Sequence, residues 1–570
     1  MIDLVEAIKG KFPQISNKPG VNVIFKILKS ITHEDEINNF IETNQHLRGF
    51  EFLDKILDYF NFSYNVSNRS LNRIPAEGRT IIIANHPIGS LDGLALLKLV
   101  RSVRPDVRIV ANDLLSHVEP LKSLFLSVDN LDEGNIQKQH YKAMLESLEN
   151  EEALIIFPAG EVSRIRPNGV KDGKWKKGFI KLAKKTSAPI LPILVKAKNS
   201  LMFYSLSTLY KPLGTMMLAH EMFNKQNIEI AFHIGKAITY ESTQKLQLDH
   251  KKLAKRFRKH LYHLGNKKPS KTLFDTIETV IHPIDKKAIK KELANAEILG
   301  QTQDGKTIFL YTYQHDSPVI HEIGRLRELA FRTVEEGTGQ SIDLDKFDCY
   351  YKHLVLWDDH DLEIVGAYRL GECADIIEQK SVNGLYISTL FNLNPEIANY
   401  LPQSIELGRS FVQPRYWGRR SLDYLWFGIG AYVRNHPEVK YLLGPVSLSN
   451  SYPEEAKQLI IAFYQQQFGS WQELAEAKTS FSIKTDYHSM FLGDYKKNFK
   501  KLSLALASLN VKVPTLYKQY AEVCDNKGCH FIDFSIDQDF NQCIDSFILV
   551  ELEKLKPSKA KRYIGSAIEN

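Results

Sequence analysis

RTIIIANHPIGSLDGLALL, residues Arg79 to Leu97, packs a strand, a sharp turn and the start of a helix into a few positions. Thr80 to Ala84 is a short apolar run rich in β-branched residues, the composition of a buried strand. Asn85-His86-Pro87-Ile88-Gly89-Ser90 is turn chemistry, because proline fixes φ and glycine relaxes it. Leu91 to Val100 then returns to helical spacing. His86 therefore leaves the carboxyl end of a strand and Asp92 opens the next helix. Active sites of α/β folds sit at such strand ends.

A histidine and an aspartate held on one turn can act as base and orienter. The imidazole takes a proton from a hydroxyl, and the carboxylate fixes its tautomer and stabilises the imidazolium that forms. No serine nucleophile is needed when the acceptor is itself an alcohol. The plainer alternative is that His86 bonds its own loop and Asp92 caps a helix.

Two further stretches bear on this choice. Phe157-Pro158-Ala159-Gly160-Glu161-Val162-Ser163-Arg164 follows the strand-like Ala153 to Ile156, and Pro189-Ile190-Leu191-Pro192-Ile193 lies beyond a basic segment. In this order the three stretches resemble the glycerolipid acyltransferases of the lysophosphatidate type, over roughly residues 75–264. That family has a His–Asp motif, a Phe-Pro-Glu-Gly-type motif with serine and arginine, and a proline-containing apolar motif. The resemblance implies His86 and Asp92 as catalytic residues, with Asn85, Gly160, Glu161, Ser163, Arg164 and Pro192 toward the substrate. It departs from the usual pattern twice. Five residues, Pro87 to Leu91, separate His86 from Asp92 where four are usual, as in the hemolysin-linked branch. The usual Glu after Phe-Pro is Ala159, with Glu161 two places on. Arg164 carries over as a binder of an anionic head group; a surface arginine is the alternative.

The chain has 570 residues, enough for two or three domains, and 43% hydrophobic residues give each an ordinary core. A net charge of +7 suits an anionic lipid surface or an acidic carrier protein, and is too weak to indicate nucleic acid. The five cysteines, Cys349, Cys373, Cys524, Cys529 and Cys543, have no zinc-binding spacing, so no metal is expected and the thiols read as reduced. The opening MIDLVEAIKGKFPQ is broken by charges and does not read as a signal peptide. No uncharged apolar run approaches the ~20 residues of a spanning helix. The expectation is a cytoplasmic protein, peripheral on the inner face of the cytoplasmic membrane.

Residues 1–74 read as a helical segment. Phe25, Ile27 and Leu28 come first, and Phe50, Phe52, Leu53, Ile56, Leu57, Tyr59 and Phe60 make an apolar face. That face either packs on the next domain or anchors at a membrane interface. Residues 75–265 alternate strands (Thr80 to Ala84, Val107 to Val110, Ala153 to Phe157, Ile190 to Val195, Ile228 to Ile234) with helices such as Ile136 to Glu149, the pattern of an α/β sheet. Lys171 to Lys185 and Lys251 to His263 are basic and amphipathic, and suit lipid phosphates or a solvated helix face. Residues 266–299, lysine-rich, read as a linker to a domain spanning 300–570.

In that last domain Leu326 to Leu356 and the stretch SIELGRSFVQPRYWGRRSLDYLWFGIGAYV from Ser404 resemble the acyl-homoserine-lactone synthase and hemolysin branch of the GCN5-related N-acyltransferases. The resemblance implies an α+β fold whose central strand, here Ile405 to Val412, splays open for a pantetheine arm. A turn, Arg415 to Arg420, would then set backbone amides and a helix N-terminus on phosphate. Phe411, Val412, Arg415, Gly418 and Arg420 are the implied donor-binding residues. Arg327, Asp348 and Arg409, with Asp345, are the implied acceptor-side polar residues, and Glu406 is the candidate base. Structural salt bridging among these charges is the alternative.

Together the halves resemble fused bacterial aminolipid synthases. The implied sequence is N-acylation of ornithine or glycine with a 3-hydroxyacyl group by the C-terminal half, then O-acylation of that hydroxyl at His86. The implied donor is an acyl thioester on acyl carrier protein or coenzyme A, with no tightly bound cofactor. A lysophospholipid O-acyltransferase with a non-catalytic C-terminal module, and a non-enzymatic membrane scaffold, are the alternatives.

Overall fold

The computed structural model describes residues 33–112, 118–128, 135–167, 169–209, 211–266, 273–469, 473–525 and 527–565. Phe25, Ile27, Leu28 and the rest of the helical segment before residue 33 lie outside these, as does part of the expected linker. The chain divides into two compact units, Met1–His282 and Pro283–Asn570.

Among its described residues the first unit holds nine strands: β1 (Ser63–Asn65), β2 (Thr80–Ala84), β3 (Val107–Asn112), β4 (Phe125–Val128), β5 (Ala153–Ile156), β6 (Arg164–Arg166), β7 (Gly169–Lys171), β8 (Ile190–Lys196) and β9 (Glu229–Ile234). Seven form one sheet in the order β1-β9-β8-β2-β5-β3-β4, parallel except where β8 meets β9. The other two make a small hairpin. Every residue of β2 is buried, as the unbroken TIIIA run requires of a central parallel strand. Its side chains alternate between two cores. Ile82 and Ala84 face the helix Ser90–Arg101 and the aromatic residues Phe52, Phe60 and Phe62. Ile81 and Ile83 face Trp175, Phe179, Phe257 and Leu261.

The apolar face of residues 50–60 thus packs on the sheet: Phe52, Leu53 and Leu57, from the helix Gly49–Tyr59, are buried. The basic stretches divide in the same way. In the helices Gly178–Thr186 and His250–His263 the apolar residues enter the core, and Lys181, Lys184, Lys185, Lys251, Lys252 and Lys255 stay exposed.

The second unit holds β10 (Glu297–Gln301), β11 (Lys306–Thr312), β12 (Lys352–Asp358), β13 (Glu363–Glu372), β14 (Phe391–Leu393), β15 (Ser404–Val412), β16 (Tyr441–Leu448), β17 (Ala475–Ala477), β18 (Cys529–Asp537) and β19 (Cys543–Glu551). Eight of them form a sheet in the order β10-β11-β12-β13-β15-β16-β19-β18, in which only β15 and β16 run parallel. The helices Ser421–Asn435 and Glu454–Phe468 cover one face, and Lys286–Leu293 and Pro318–Thr333 the other. The expected linker is therefore not simply a bridge. Asp285 caps the helix Lys286–Leu293 through the Ala288 N–H, and its Ile289 and Leu293 are buried while lysines face outward. Its lysine content hid an ordinary amphipathic helix.

β15 and β16 pair over only three positions, Ser404↔Tyr441, Ile405↔Leu442 and Glu406↔Leu443, and then diverge. β16 stays paired with β19 along its whole length, and β15 stays with β13 out to Val412. The open wedge expected of a splayed central strand is thus present. At its apex Gly444 takes φ 149°, and a Cβ there would overlap the Leu407 carbonyl oxygen. Gly444→Ala is therefore expected to destabilise this unit by about 3 kcal/mol or more, read as a lower melting temperature. Gly408→Ala, whose added Cβ meets no atom within 4 Å, is expected to stay within about 0.5 kcal/mol of the unaltered chain.

Candidate active site

In the first unit the end of β2 delivers His86 to the start of the helix Ser90–Arg101. Nδ1 of His86 lies 2.7 Å from Oδ1 of Asp92, and the Ile88 N–H donates to Oδ2 of Asp92 at 2.9 Å. Asp92 is shut off from water, whereas the His86 side chain keeps 20% of its surface. With Nδ1 committed to the carboxylate, Nε2 is the ring nitrogen left for chemistry. The ring stacks on Phe157, with centroids 4.1 Å apart. Phe157 itself leaves the strand expected to include it, since β5 ends at Ile156. Burial alone would lower the imidazole pKa, but the facing carboxylates of Asp92 and Asp172 outweigh it and the net shift is upward.

The Phe-Pro motif closes over this turn. The Ser163 N–H donates to the His86 carbonyl at 2.7 Å, and the Ser163 hydroxyl donates to Asp172 at 2.5 Å. Arg164 donates to the Ser207 hydroxyl, and its Nε lies 3.6 Å from Glu161. Gly160 turns the loop with φ +66°. Two residues expected toward the substrate serve the scaffold instead. Asn85 spends both ends of its amide on the Val195 backbone, at 2.9 and 2.8 Å, clipping β2 to β8. Pro192 is buried within β8, and its carbonyl accepts from Gly235.

Asp172 escaped sequence reasoning. It sits inside a lysine-rich stretch read as basic surface, yet it is fully buried and accepts from the His86 N–H (3.3 Å), the Ser163 hydroxyl and Trp175 Nε1 (2.8 Å). The only hint in the sequence was a lone acid beside a tryptophan, in KDGKWKK.

In the second unit the candidate base, Glu406, lies on β15. Glu406 is buried, and its two oxygens accept from the Ile387 N–H (2.6 Å), the Tyr386 N–H (3.0 Å) and the Tyr351 hydroxyl. These bonds tie it to the segment around Tyr386. Arg327 grips Asp348 with two bonds of 2.8 and 3.0 Å, and both are buried. Arg369, which carried no motif, joins Asp345 at 2.6 Å, and Arg409 joins the same carboxylate at 3.2 Å. Arg327 and Asp348 are thus committed to a buried ion-pair network. Arg409 keeps 11% of its side chain exposed and Asp345 24%. Arg409 adopts φ +48°, beside the register shift where β15 leaves strict pairing with β13.

The expected donor turn precedes the helix Ser421–Asn435 as anticipated. Arg415, however, is paired with Asp361 (2.8 Å) and Glu363 (2.7 Å), so its charge is already answered. Arg420 lies 3.4 Å from Asp423. Gly418 has φ +75° and open space where a Cβ would stand, so backbone conformation, not crowding, calls for glycine there. Phe411 points into the core against the helix Pro318–Thr333, and Val412 packs against the opposite face. Among the described residues no cluster of three or more His, Cys, Asp or Glu side chains could hold a metal ion.

Residues 8–269 match the family described as Acyltransferase, and residues 326–427 match the Acetyltransferase (GNAT) domain. The glycine N(alpha)-acyltransferase of Bacteroides thetaiotaomicron is 31% identical, over 52% of this chain and 92% of that protein. The chain belongs to the aminolipid acyltransferases. The lyso-glycine lipid O-acyltransferase of the same organism is 30% identical, over 43% of this chain and 91% of that protein. An L-ornithine N(alpha)-acyltransferase of Agrobacterium fabrum is 29% identical, over 26% of this chain and 53% of that protein. The expectation of two acyltransferases fused in one chain, of mixed α/β class, is borne out: this is a bifunctional aminolipid acyltransferase.

Buried carboxyls in the GNAT unit make its stability depend on pH. Burial pushes Glu336 up from its ordinary 4.5 to about 7, against the Ser447 hydroxyl that donates to it at 2.8 Å. The unfolded carboxyl ionises near 4.5 and the folded one near 7. Folding is thus penalised increasingly as pH rises through that window, and fully above it. Glu336→Gln is expected to stabilise the protein at pH 8 by up to about 3 kcal/mol and to leave it nearly unchanged at pH 4. Denaturant melts at the two pH values measure this.

Proposed function

We propose that the GNAT unit transfers a 3-hydroxyacyl group from an acyl thioester to the amine of glycine, and that the first unit then acylates the 3-hydroxyl of that product. Glycine is favoured over ornithine because the glycine N(alpha)-acyltransferase is matched over nearly its whole length, and the ornithine enzyme over about half. The lyso-glycine lipid relative supports the second step in the same way. A non-catalytic C-terminal module would leave the N-acyltransferase relatives without a reason. The donor is an acyl carrier protein or coenzyme A thioester.

The observation that carries the O-acylation is the His86–Asp92 pair, at 2.7 Å and at a strand end. An aliphatic hydroxyl ionises far above neutrality, so it must lose its proton as it attacks. Nε2 of His86 takes that proton while the hydroxyl oxygen bonds to the thioester carbonyl carbon. The tetrahedral intermediate collapses, the carbon–sulfur bond breaks, and the imidazolium returns the proton to the thiolate. Asp92 keeps the proton-bearing Nδ1 oriented and stabilises the cation between the two transfers. Arg164, beside Glu161 and Ser207, is suited to the carboxylate of the lyso-lipid head group.

No described helix is long and apolar enough to cross a membrane. We place the protein on the membrane through exposed lysines of residues 174–185 and 251–259, with the exposed Leu201 and Met202.

Expression in a host lacking aminolipids, followed by mass spectrometry of the lipids, is expected to give a diacylated glycine lipid. An ornithine lipid in its place would overturn the choice of amino acid. His86→Ala is expected to cut O-acylation by about 100- to 10,000-fold and to leave N-acylation intact, so that the monoacyl product accumulates. Diacyl lipid at the unaltered rate would remove His86 as base. Binding to anionic vesicles is expected to weaken as salt rises, since exposed charges are screened over about 8 Å at physiological ionic strength. Retention insensitive to salt would point to hydrophobic insertion.

A further inference from the structure

The two segments that meet at His86, the β2 turn and the Phe-Pro loop, are joined by a third whose key residue has no part in any motif. Asp172 follows β7 directly and is fully buried. Oδ1 accepts from the His86 N–H at 3.3 Å and from the Ser163 hydroxyl at 2.5 Å. Oδ2 accepts from Trp175 Nε1 at 2.8 Å. The Asp172 N–H in turn donates to the Tyr262 hydroxyl at 2.8 Å, which ties it to the helix His250–His263. The loop closes on itself, because the Ser163 N–H donates to the His86 carbonyl at 2.7 Å. One carboxylate therefore fixes both the backbone of the histidine and the serine that grips that backbone from the other side.

Among the described residues no lysine or arginine pairs with this carboxylate. Burial pushes the Asp172 carboxyl up, and the hydrogen bonds from Ser163, Trp175 and the His86 N–H work against that and favour the anion. A buried anion satisfied by hydrogen bonds alone keeps its field. The charged groups facing the imidazole are Asp92, from the helix Ser90–Arg101, and Asp172; Phe157, stacked on the ring, is neutral.

We propose that Asp172 is a positioning residue for O-acyl transfer: it locks the His86 turn to the Ser163 loop and sets a second negative charge behind the imidazole. This rests on the reading of His86 as the base. The carboxylate neither takes a proton nor touches substrate. It acts through His86, whose cation forms when the acceptor hydroxyl is deprotonated and disappears when the thiol leaves. Misplacement of a catalytic group by about 1 Å costs on the order of 100-fold in rate, and the loss of either anchor allows such a shift.

The test separates charge from geometry, using the full chain and a synthetic 3-hydroxyacyl-glycine as acceptor. Asp172→Asn removes the charge. The acid limb of the kcat/KM profile follows the proton on His86, and removing a facing anion destabilises the imidazolium. That limb is therefore expected to move to lower pH, with kcat down by about 10- to 100-fold and KM for the acceptor changed less than about threefold. Asp172→Glu keeps the charge and breaks the register. It is expected to lower kcat with the acid limb in place. Trp175→Phe removes one donor from Oδ2 while the carboxylate stays, and is expected to lower the melting temperature without moving the limb.

An Asp172→Asn profile with its acid limb unmoved, or an Asp172→Glu chain with full kcat, overturns the proposal. Should Asp172→Asn fail to fold, the Asp172→Glu arm decides alone. His86→Ala is run beside them. If that variant keeps O-acylating, the base assignment falls. If it is inactive while the Asp172 variants behave as the unaltered chain does, only the present inference falls.

Discussion

A carboxylate withdrawn wholly from water, 2.7 Å from an imidazole nitrogen, is the constraint around which the first unit is arranged. A buried charge is costly unless it is paired and hydrogen-bonded. Asp92 meets that condition with the imidazole on one oxygen and the Ile88 N–H on the other. Both partners come from the turn between β2 and the next helix, so the strand, the turn and the helix start must hold together for the charge to be tolerated. The Asn85 clip to Val195 and the buried TIIIA run hold the strand end. The Phe157 ring and the Ser163 backbone close the remaining sides. The His86 side chain still keeps 20% of its surface.

The second unit solves a different problem with similar means. A pantetheine arm needs a gap in a sheet, and a gap leaves strand edges without partners. Here the gap is made by turning one strand away after three paired residues, with a glycine at the apex where two backbones come closest. The divergent strand is then held by charges. Arg327, Arg369 and Arg409 share Asp345 and Asp348, and the guanidinium groups of Arg369 and Arg409 lie over the Tyr386 ring. Such a buried network gains little net stability over an apolar core, but it penalises any rearrangement that unpairs a charge. Glu406 belongs to this bracing through its hydrogen bonds to Tyr351, Tyr386 and Ile387.

The two units therefore use buried acids to opposite ends. In the first, carboxylates stand beside the His86 imidazole, and their field favours its cation. In the second, arginines hold Asp348 well below the ordinary carboxylate range, against the cost of its burial, so its charge stays fixed. Perturbed groups in both units are conspicuous, and only contact with an open face distinguishes the reactive from the structural.

Much of this was legible in the chain itself. Strand β2, the turn at His86 and the helix after it are local events, dictated by a β-branched run, a proline and glycine pair, and the return of helical spacing. The aromatic face of residues 50–60 was likewise readable, while the splayed strand and the turn before the helix after Gly418 were implied by the family resemblance. The sequence could not say which charges face which. Asp172 lies among lysines in the chain, and only the fold carries it under the His86 turn, 86 residues away in sequence. Arg369 belongs to no motif and Tyr351 had no role assigned within Leu326 to Leu356, and they meet Asp345 and Glu406 across distant segments. Arg415, poised by spacing to meet a phosphate, is claimed instead by Asp361 and Glu363. Periodicity and turn chemistry act over a few neighbouring residues, so sequence alone determines them. The partner of a charge is set by whichever distant segment packs against it, and that is decided only when the chain has closed.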